Sequence, residues 1–169
     1  MSIAVLSIGS NVGDRLGHLR SVLDGLGPRV RAVSPVYSTA PWGGVEQDDF
    51  LNAVVVAEDD LDPIEWLDLA QSMEKAAHRV RGQHWGPRTL DVDIVTVSDH
   101  TGTLRRVCDR LILPHPYAHQ RAFVLAPWHD VDPDATLAVD GSDHPIAELL
   151  AATPPEELAA VARTDLALR

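Results

Sequence analysis

The sequence predicts an α+β domain: an antiparallel, ferredoxin-like sheet with helices on both faces, in three layers. Three observations carry this. Candidate elements follow the order β-α-β-β-α-β with further elements appended, the pattern of a split βαβ core. Apolar residues switch between strand-like runs and helical spacing from one segment to the next. The chain has 169 residues, of which 45% are apolar, enough for one domain (residues 1–169) with a core of its own.

The run Ile3-Ala4-Val5-Leu6-Ser7-Ile8 reads as the first strand and ends in Gly9-Ser10-Asn11. A helix is expected from Asp14 to Leu26, because Leu16, Leu19, Val22, Leu23 and Leu26 recur at helical spacing before Gly27-Pro28 stops it. Residues 29–37 alternate and are β-rich, with Pro35 pointing to a sheet edge. A turn-rich loop spans Ser38 to Asp48, and Phe50–Ala57 reads as a buried strand. Asp62-Pro63-Ile64-Glu65 opens a second helix with a cap, an N1 proline and an acidic N3 residue, running to about His78. An arginine-rich loop comes next, then a strand at Leu90–Val97, a turn at residues 98–102 and a strand around Leu104–Cys108. Beyond Leu113-Pro114-His115-Pro116 the chain is punctuated by proline, with short helices expected at Pro145–Ala151 and Pro154–Ala162. Residues from about 150 to 169 read as a peripheral, loosely attached tail.

Composition narrows the function classes. The net charge of −11 argues against nucleic acid and anionic membranes as partners. Residues 79–121 nevertheless hold seven Arg against four Asp, a basic island suited to a small anionic ligand. Lys75 is the single lysine, so neither a P-loop nor a protein-kinase strand lysine is available, and any nucleotide phosphates must be held by arginine and metal. The single Cys108 excludes an internal disulfide and a thiolate metal site. The start of the chain carries no basic leader and no run reaches membrane-spanning length, so a cytoplasmic location is expected.

The densest chemical signal is the stretch from Arg79 to Ile94. Asp91 and Asp93 lie two apart on a strand, so both side chains share one face, with Cα atoms about 6.6–6.8 Å apart. That spacing suits a pair of Mg²⁺ ions roughly 3.5–4 Å apart. An acidic strand face neutralised by Arg88, with no metal, is the plain alternative. Arg79, Arg81, Arg88 and Arg121 are candidate phosphate clamps, since each guanidinium offers a rigid fork to two oxygens. Gly82 and Gly86-Pro87 suggest a lid, and Trp85 either plugs it or anchors it. His115 between prolines is held in an extended turn. Phe50 and Asn52 share a strand face and, with Phe123, form a candidate site for a flat heterocycle.

Four stretches occur in order: Ile8-Gly9-Ser10-Asn11; Phe50-Leu51-Asn52-Ala53; Trp85-Gly86-Pro87-Arg88-Thr89-Leu90-Asp91-Val92-Asp93-Ile94; and Leu113-Pro114-His115-Pro116 followed by Arg121-Ala122-Phe123-Val124-Leu125. With them, over roughly residues 3–130, the chain resembles the 6-hydroxymethyl-7,8-dihydropterin pyrophosphokinase family of the folate pathway. The resemblance implies transfer of pyrophosphate from ATP to the pterin hydroxymethyl group, releasing AMP. It implies two Mg²⁺ ions on Asp91 and Asp93, with Arg79 and Arg88 joining them as catalytic residues. Binding of ATP is implied for Glu74, Arg79, Arg81, Trp85, Arg88, Ile94, Arg110, Ile112, His115 and Arg121. Binding of the pterin is implied for Thr39, Trp42, Phe50, Asn52, Asp91 and Phe123. Its partners are then two small molecules, with neither nucleic acid nor membrane, acting on a monomer. The chain departs from the family pattern at Ala40, Gly82 and Pro116-Tyr117. A non-catalytic ferredoxin-like binding domain and a metal-dependent phosphohydrolase are the competing readings.

Overall fold

The computed structural model describes residues 1–41, 46–78 and 88–169. Strand β1 (Ser2–Ser10) leads into helix α1 (Arg15–Leu26), which Asp14 caps by accepting a hydrogen bond from the Gly17 backbone N–H at 3.0 Å. A single 3-10 turn, Gly27–Arg29, follows. The alternating segment expected as one strand is two, β2 (Val30–Val33) and β3 (Tyr37–Thr39), laid end to end along the same edge of β4 (Phe50–Asp59). Pro35 is the reason, since it has no N–H to give a ladder. Ser34 bridges the break: its backbone N–H donates to the Val54 carbonyl at 2.9 Å, and its hydroxyl accepts from the Val54 N–H at 2.9 Å.

Helix α2 (Pro63–Ala76) opens on the full capping box of Asp62 and Glu65 anticipated from the sequence. Its Trp66 is buried and donates its indole N–H to Ser2 Oγ at 2.8 Å, fastening the helix to the start of β1. Then come β5 (Asp91–Asp99) and three two-residue strands: β6 (Gly102–Thr103), β7 (Arg106–Val107) and β8 (Ile112–Leu113). The strand expected around 104–108 is thus divided between β6, which extends the main sheet, and β7, which pairs with β8.

The sequence reading contained no helix at 122–131, yet α3 (Ala122–Val131) lies there with Pro127 inside it. Packing outweighs the proline. Burying Val124, Leu125 and Trp128 is worth about 1.5–3 kcal/mol each, against about 3 kcal/mol for a helix-interior proline. Hairpin β9 (Thr136–Val139) with β10 (Ser142–Pro145), helices α4 (Ile146–Ala151) and α5 (Pro155–Ala159), and strand β11 (Val161–Arg163) complete the chain. The final segment is more firmly held than expected, since β11 pairs with β3 and Leu168 is buried in the main core.

Among the described residues seven strands form one antiparallel sheet in the order β11-β3-β4-β1-β5-β6, with β2 also on β4. Both of its faces are covered. Ala4, Leu6 and Ile8 of β1, Ala53 and Val55 of β4, and Val92 and Ile94 of β5 pack under α1 and α2. Val5, Val54 and Val95 pack under α3, α4 and the β9–β10 hairpin. This is the expected three-layer α+β arrangement. Val95 is an extra residue in β5: Val5 pairs with Thr96 and Leu6 with Ile94. No helix among the described residues is long and apolar enough to cross a membrane.

Ser34→Ala would leave the buried Val54 N–H without its acceptor, a loss of about 1–3 kcal/mol. Urea unfolding should show a loss in that range, and a change below about 0.5 kcal/mol, the usual surface value, would contradict the bridge.

Candidate active site

The site grows from one row of residues across three neighbouring strands. Gly9 at the end of central β1 pairs with Asn52 of β4 on one side and with Asp91 of β5 on the other. Strand side chains alternate in direction, so Phe50, Asn52, Asp91 and Asp93 all emerge on the face opposite the α1–α2 core. Two strand spacings separate Asn52 from Asp91, about 10 Å. A cavity of about 630 Å³ opens over this row. Thr39 and Ala40 at the end of β3 form one wall; His115, Tyr117, Arg121 and Phe123, from the loop before α3 and its first turn, form another.

Gly9 is needed where it stands. A methyl group there would meet Asn52 Nδ2 at 2.6 Å and Phe50 Cδ1 at 3.5 Å, so the amide lies across the space a side chain would take. Asn52 is buried, and its Oδ1 has no hydrogen-bond partner among the described residues; the same holds for Thr39 Oγ1. A buried polar atom left so costs about 1–3 kcal/mol. Two of them on one cavity wall mark a seat for a polar, flat ligand that can satisfy them.

The opposite end is charged. Arg88 Nη1 lies 3.4 Å from Asp91 Oδ1 and Arg121 Nη1 lies 3.8 Å from Asp93 Oδ2, both longer than a close charge-assisted hydrogen bond. The Arg121 guanidinium also sits 5.7 Å from the Tyr117 ring centre and 5.5 Å from that of Phe123, so it is held by aromatic faces as well as charge. Among the described residues no group of three or more His, Cys, Asp or Glu side chains is placed to hold a metal. Asp91 and Asp93 both line the cavity and present two carboxylates side by side on one strand face. This suits Mg²⁺, which keeps waters and substrate phosphate oxygens in its shell.

His115 is tuned by burial, which pushes its imidazole down to about 4; Arg121 reinforces the shift and Asp91 opposes it. The ring is thus neutral at neutral pH. Its Nδ1 accepts the Tyr117 backbone N–H at 3.1 Å, so the ring proton belongs on Nε2, leaving a neutral N–H donor.

Two further residues hold this constellation from behind. The Glu74 carboxylate, buried at the end of α2, accepts the Val92 N–H at 3.0 Å, fixing the strand between the two aspartates. Asn11, buried just beyond β1, joins two stretches of chain. Its Oδ1 accepts the Arg88 N–H at 2.7 Å, while its Nδ2 donates to Gln47 Oε1 at 2.7 Å and to the Asp48 carbonyl at 3.0 Å. Its own backbone N–H reaches the Arg88 carbonyl at 3.1 Å.

The structure thus brings Thr39, Phe50, Asn52, Arg88, Asp91, Asp93, His115, Arg121 and Phe123 of the sequence-derived set to one cavity. Arg79, Arg81, Trp85 and Trp42, with the lid glycines and Pro87, lie outside the described residues. Three others stand away from the cavity wall. The Ile94 side chain is in the main core, Arg110 pairs with Asp68 on α2 at 2.6 Å, and Ile112 is exposed on β8. Sequence reasoning attached no role to Gly9, Asn11, Tyr117 or Gln120. For Gly9 a signal existed, since a glycine at a strand end marks a close approach.

The neutral His115 has a pH consequence. Between its ordinary value of 6.5 and about 4 the unfolded chain binds a proton that the folded ring refuses, so stability falls as pH drops through that window. His115→Gln should escape this loss, and its melting temperature should gain on that of the parent from pH 7 to pH 4. Parallel curves would contradict a neutral ring.

Residues 5–133 match the model of the 7,8-dihydro-6-hydroxymethylpterin-pyrophosphokinase (HPPK) family. The chain is 55% identical over 163 residues to a 2-amino-4-hydroxy-6-hydroxymethyldihydropteridine pyrophosphokinase of Mycobacterium bovis, covering 93% of this chain and 87% of that one. It is 53% identical over 176 residues to the Mycobacterium leprae protein of that name, covering 100% and 92%. A crystal structure of Plasmodium falciparum HPPK-DHPS with pterin and p-hydroxybenzoate superposes with a TM-score of 0.64 at 15% identity, over 89% of this chain and 42% of that one. The chain therefore spans less than half of that solved protein, and the likeness to it is one of fold. By its family model and its relatives, the chain belongs to the hydroxymethyldihydropterin pyrophosphokinase family.

Proposed function

We propose that the cavity seats the pterin at its Asn52 end and the polyphosphate of ATP at its Asp91–Asp93 end, and that the reaction takes place between them. As a member of its family the chain is a pyrophosphokinase acting on hydroxymethyldihydropterin in folate biosynthesis, with ATP as co-substrate. The observation that carries the placement is the row Asn52–Gly9–Asp91. It sets a buried amide oxygen without a partner among the described residues at one end of the cavity and paired carboxylates about 10 Å away. A fused bicyclic ring with a one-carbon arm spans such a gap.

Each residue's part follows from its chemistry. The pterin's amino-pyrimidine edge offers N–H donors to Asn52 Oδ1 and a partner for Thr39 Oγ1, the two atoms otherwise unsatisfied. Phe50 and Phe123 border the ring from β4 and α3. The hydroxymethyl oxygen attacks the β-phosphorus and gives up its proton to solvent; a new O–P bond forms, the bond from that phosphorus to the α–β bridging oxygen breaks, and AMP leaves. Arg88, Arg121 and the neutral Nε2–H of His115 line the phosphate end, where the charge to be stabilised sits. Arg79 and Arg81 are assigned to the same phosphates by family resemblance.

Asp91 and Asp93 are the residues that would hold Mg²⁺, two ions by the spacing of the pair. When bound, the metal supplies Lewis-acid stabilisation of the alcohol oxygen and of the phosphate charge. That contribution is needed, because an ordinary carboxylate, with a pKa near 4, is a weak base toward an alcohol. Glu74 and Asn11 act at one remove, keeping the backbone under the aspartates and under Arg88 in place.

Protein mixed with MgATP and 6-hydroxymethyl-7,8-dihydropterin should release AMP in equal amount to pterin pyrophosphate. ADP or orthophosphate in its place would favour a phosphohydrolase, and no turnover by folded protein would favour a binding domain. Asp93→Ala should lower kcat by about 10²–10³-fold or more, the scale of losing a focused electrostatic group, with an unchanged melting profile; a near-normal rate would remove Asp93 from the metal site. Gly9→Ala should raise the pterin KM roughly 10-fold, since overpacking costs about 1–3 kcal/mol, while the ATP KM holds. Equal KM values in mutant and parent would show that Asn52 does not need that space.

A further inference from the structure

The carboxy-terminal strand lies against the wall of the cavity. Strand β3 ends in Thr39, which with the following Ala40 lines the pterin end, and β3 pairs with β4 through three residue pairs, Tyr37–Asn52, Ser38–Leu51 and Thr39–Phe50. A strand so short is weakly held by one neighbour. Its outer edge is taken by β11, with Val161 opposite Thr39 and Arg163 opposite Tyr37. The Ala40 N–H donates to the Ala160 carbonyl at 2.9 Å, so both wall residues are tied directly to the tail.

Three anchors hold the tail in turn. Thr164 donates its backbone N–H (3.0 Å) and its hydroxyl (2.7 Å) to the Val36 carbonyl, just before β3. Leu168 is buried in the main core, and Arg20 on α1 donates to the Ala167 carbonyl at 3.0 Å. The third anchor is a polar node. The Tyr37 phenol donates to Asp130 Oδ2 near the end of α3, and Arg163 Nη2 lies 3.6 Å from the same oxygen. Burial and the adjacent Asp130 push the Tyr37 phenol up to about 12, so it remains a donor throughout the working pH range. Helix α3 carries Phe123 on the other side of the cavity. One carboxylate therefore links β11 to β3 and α3, the two elements that border the pterin end. The Arg163 arm is exposed and adds little by itself; the ladder, the phenol and Leu168 carry the attachment.

We propose that residues 160–168, with Tyr37 and Asp130, form a strap that positions β3 and so sets affinity for the pterin, without touching either substrate. This rests on the placement of the pterin proposed above. The strap is on the pterin side alone. The phosphate end is built on β5 and the loop leading into α3, which the tail does not pair with. Tyr37, Asp130 and Leu168 are thus positioning residues for one of the two substrates.

The test uses Leu168→Ala, Asp130→Asn and Tyr37→Phe, with Trp66→Phe as a core variant in α2, bonded to Ser2 at the opposite end of β1 from Gly9. AMP formation gives kcat and both KM values, and melting curves report folding. The strap predicts a pterin KM raised at least fivefold in the three strap variants, an ATP KM within twofold of the parent, and no such split in Trp66→Phe. Should Leu168→Ala fail to fold, the two polar-node variants decide the matter. A pterin KM unchanged in both of them, or pterin and ATP KM values rising together, overturns the strap. A parent protein that makes no AMP overturns the placement of the pterin and the strap with it. A parent that turns over normally beside variants without the split overturns the strap alone.

Discussion

The absence of a side chain at Gly9 is the constraint on which the site rests. Strand β1 runs through the middle of the sheet with partners on both sides, and at its end the face above it must be clear. Because Gly9 has no Cβ, the Asn52 amide lies across it, and the floor between Asn52 and Asp91 stays open. A larger residue would push the amide away and fill the middle of the cavity. In the proposed placement the three-strand row behaves as a ruler: the sheet's own spacing sets the distance between the group that would read the ring and the groups that would face the phosphates. Strand pairing fixes that distance more rigidly than loops would.

Polar clamps build outward from this row. Asn11 holds Arg88 and the Gln47–Asp48 segment with one amide and one backbone N–H. Glu74 holds Val92 between the two aspartates. Asp130 holds Tyr37 and faces Arg163. In each case one side chain, placed by a helix or a strand end, fixes backbone or a phenol far away in sequence. The apolar layers supply the stability of the sheet; these few bonds supply its precision at one end. That division suits a site that must bring two substrates into line, because an error of about 1 Å in position can cost a hundredfold in rate.

What was legible in the sequence was whatever repeats at a fixed period or sits at an element boundary. Asp91 and Asp93 share a face, and Val92 and Ile94 face the core, because alternation along a strand is local and strict. The capping box of α2 was legible for the same reason. Helix α3 was not: Pro127 argues against a helix, and the burial that overrides it involves strands far off in the chain. The attachment of the tail was not legible, because its ladder has three residues and its one apolar anchor in the main core is Leu168. Asn11 and Asp130 looked like ordinary polar residues, since their partners stand 77 and 93 positions away. Arg121 was legible as a phosphate clamp from its guanidinium, and the family resemblance added His115 as a phosphate-facing group. Only the folded chain shows that burial leaves that imidazole neutral and that two aromatic rings hold the guanidinium.

Orientation decides the proposed chemistry: with the ring read at Asn52, the alcohol would be delivered toward Asp91 and Asp93. A crystal structure of the chain with Mg²⁺, a non-hydrolysable ATP analogue and the dihydropterin measures it directly. The expected result is the amino-pyrimidine edge hydrogen-bonded to the Asn52 amide, the hydroxymethyl oxygen facing the β-phosphorus, and metal on both aspartates. A ring turned end for end, or seated away from the Asn52–Gly9–Asp91 row, would contradict it.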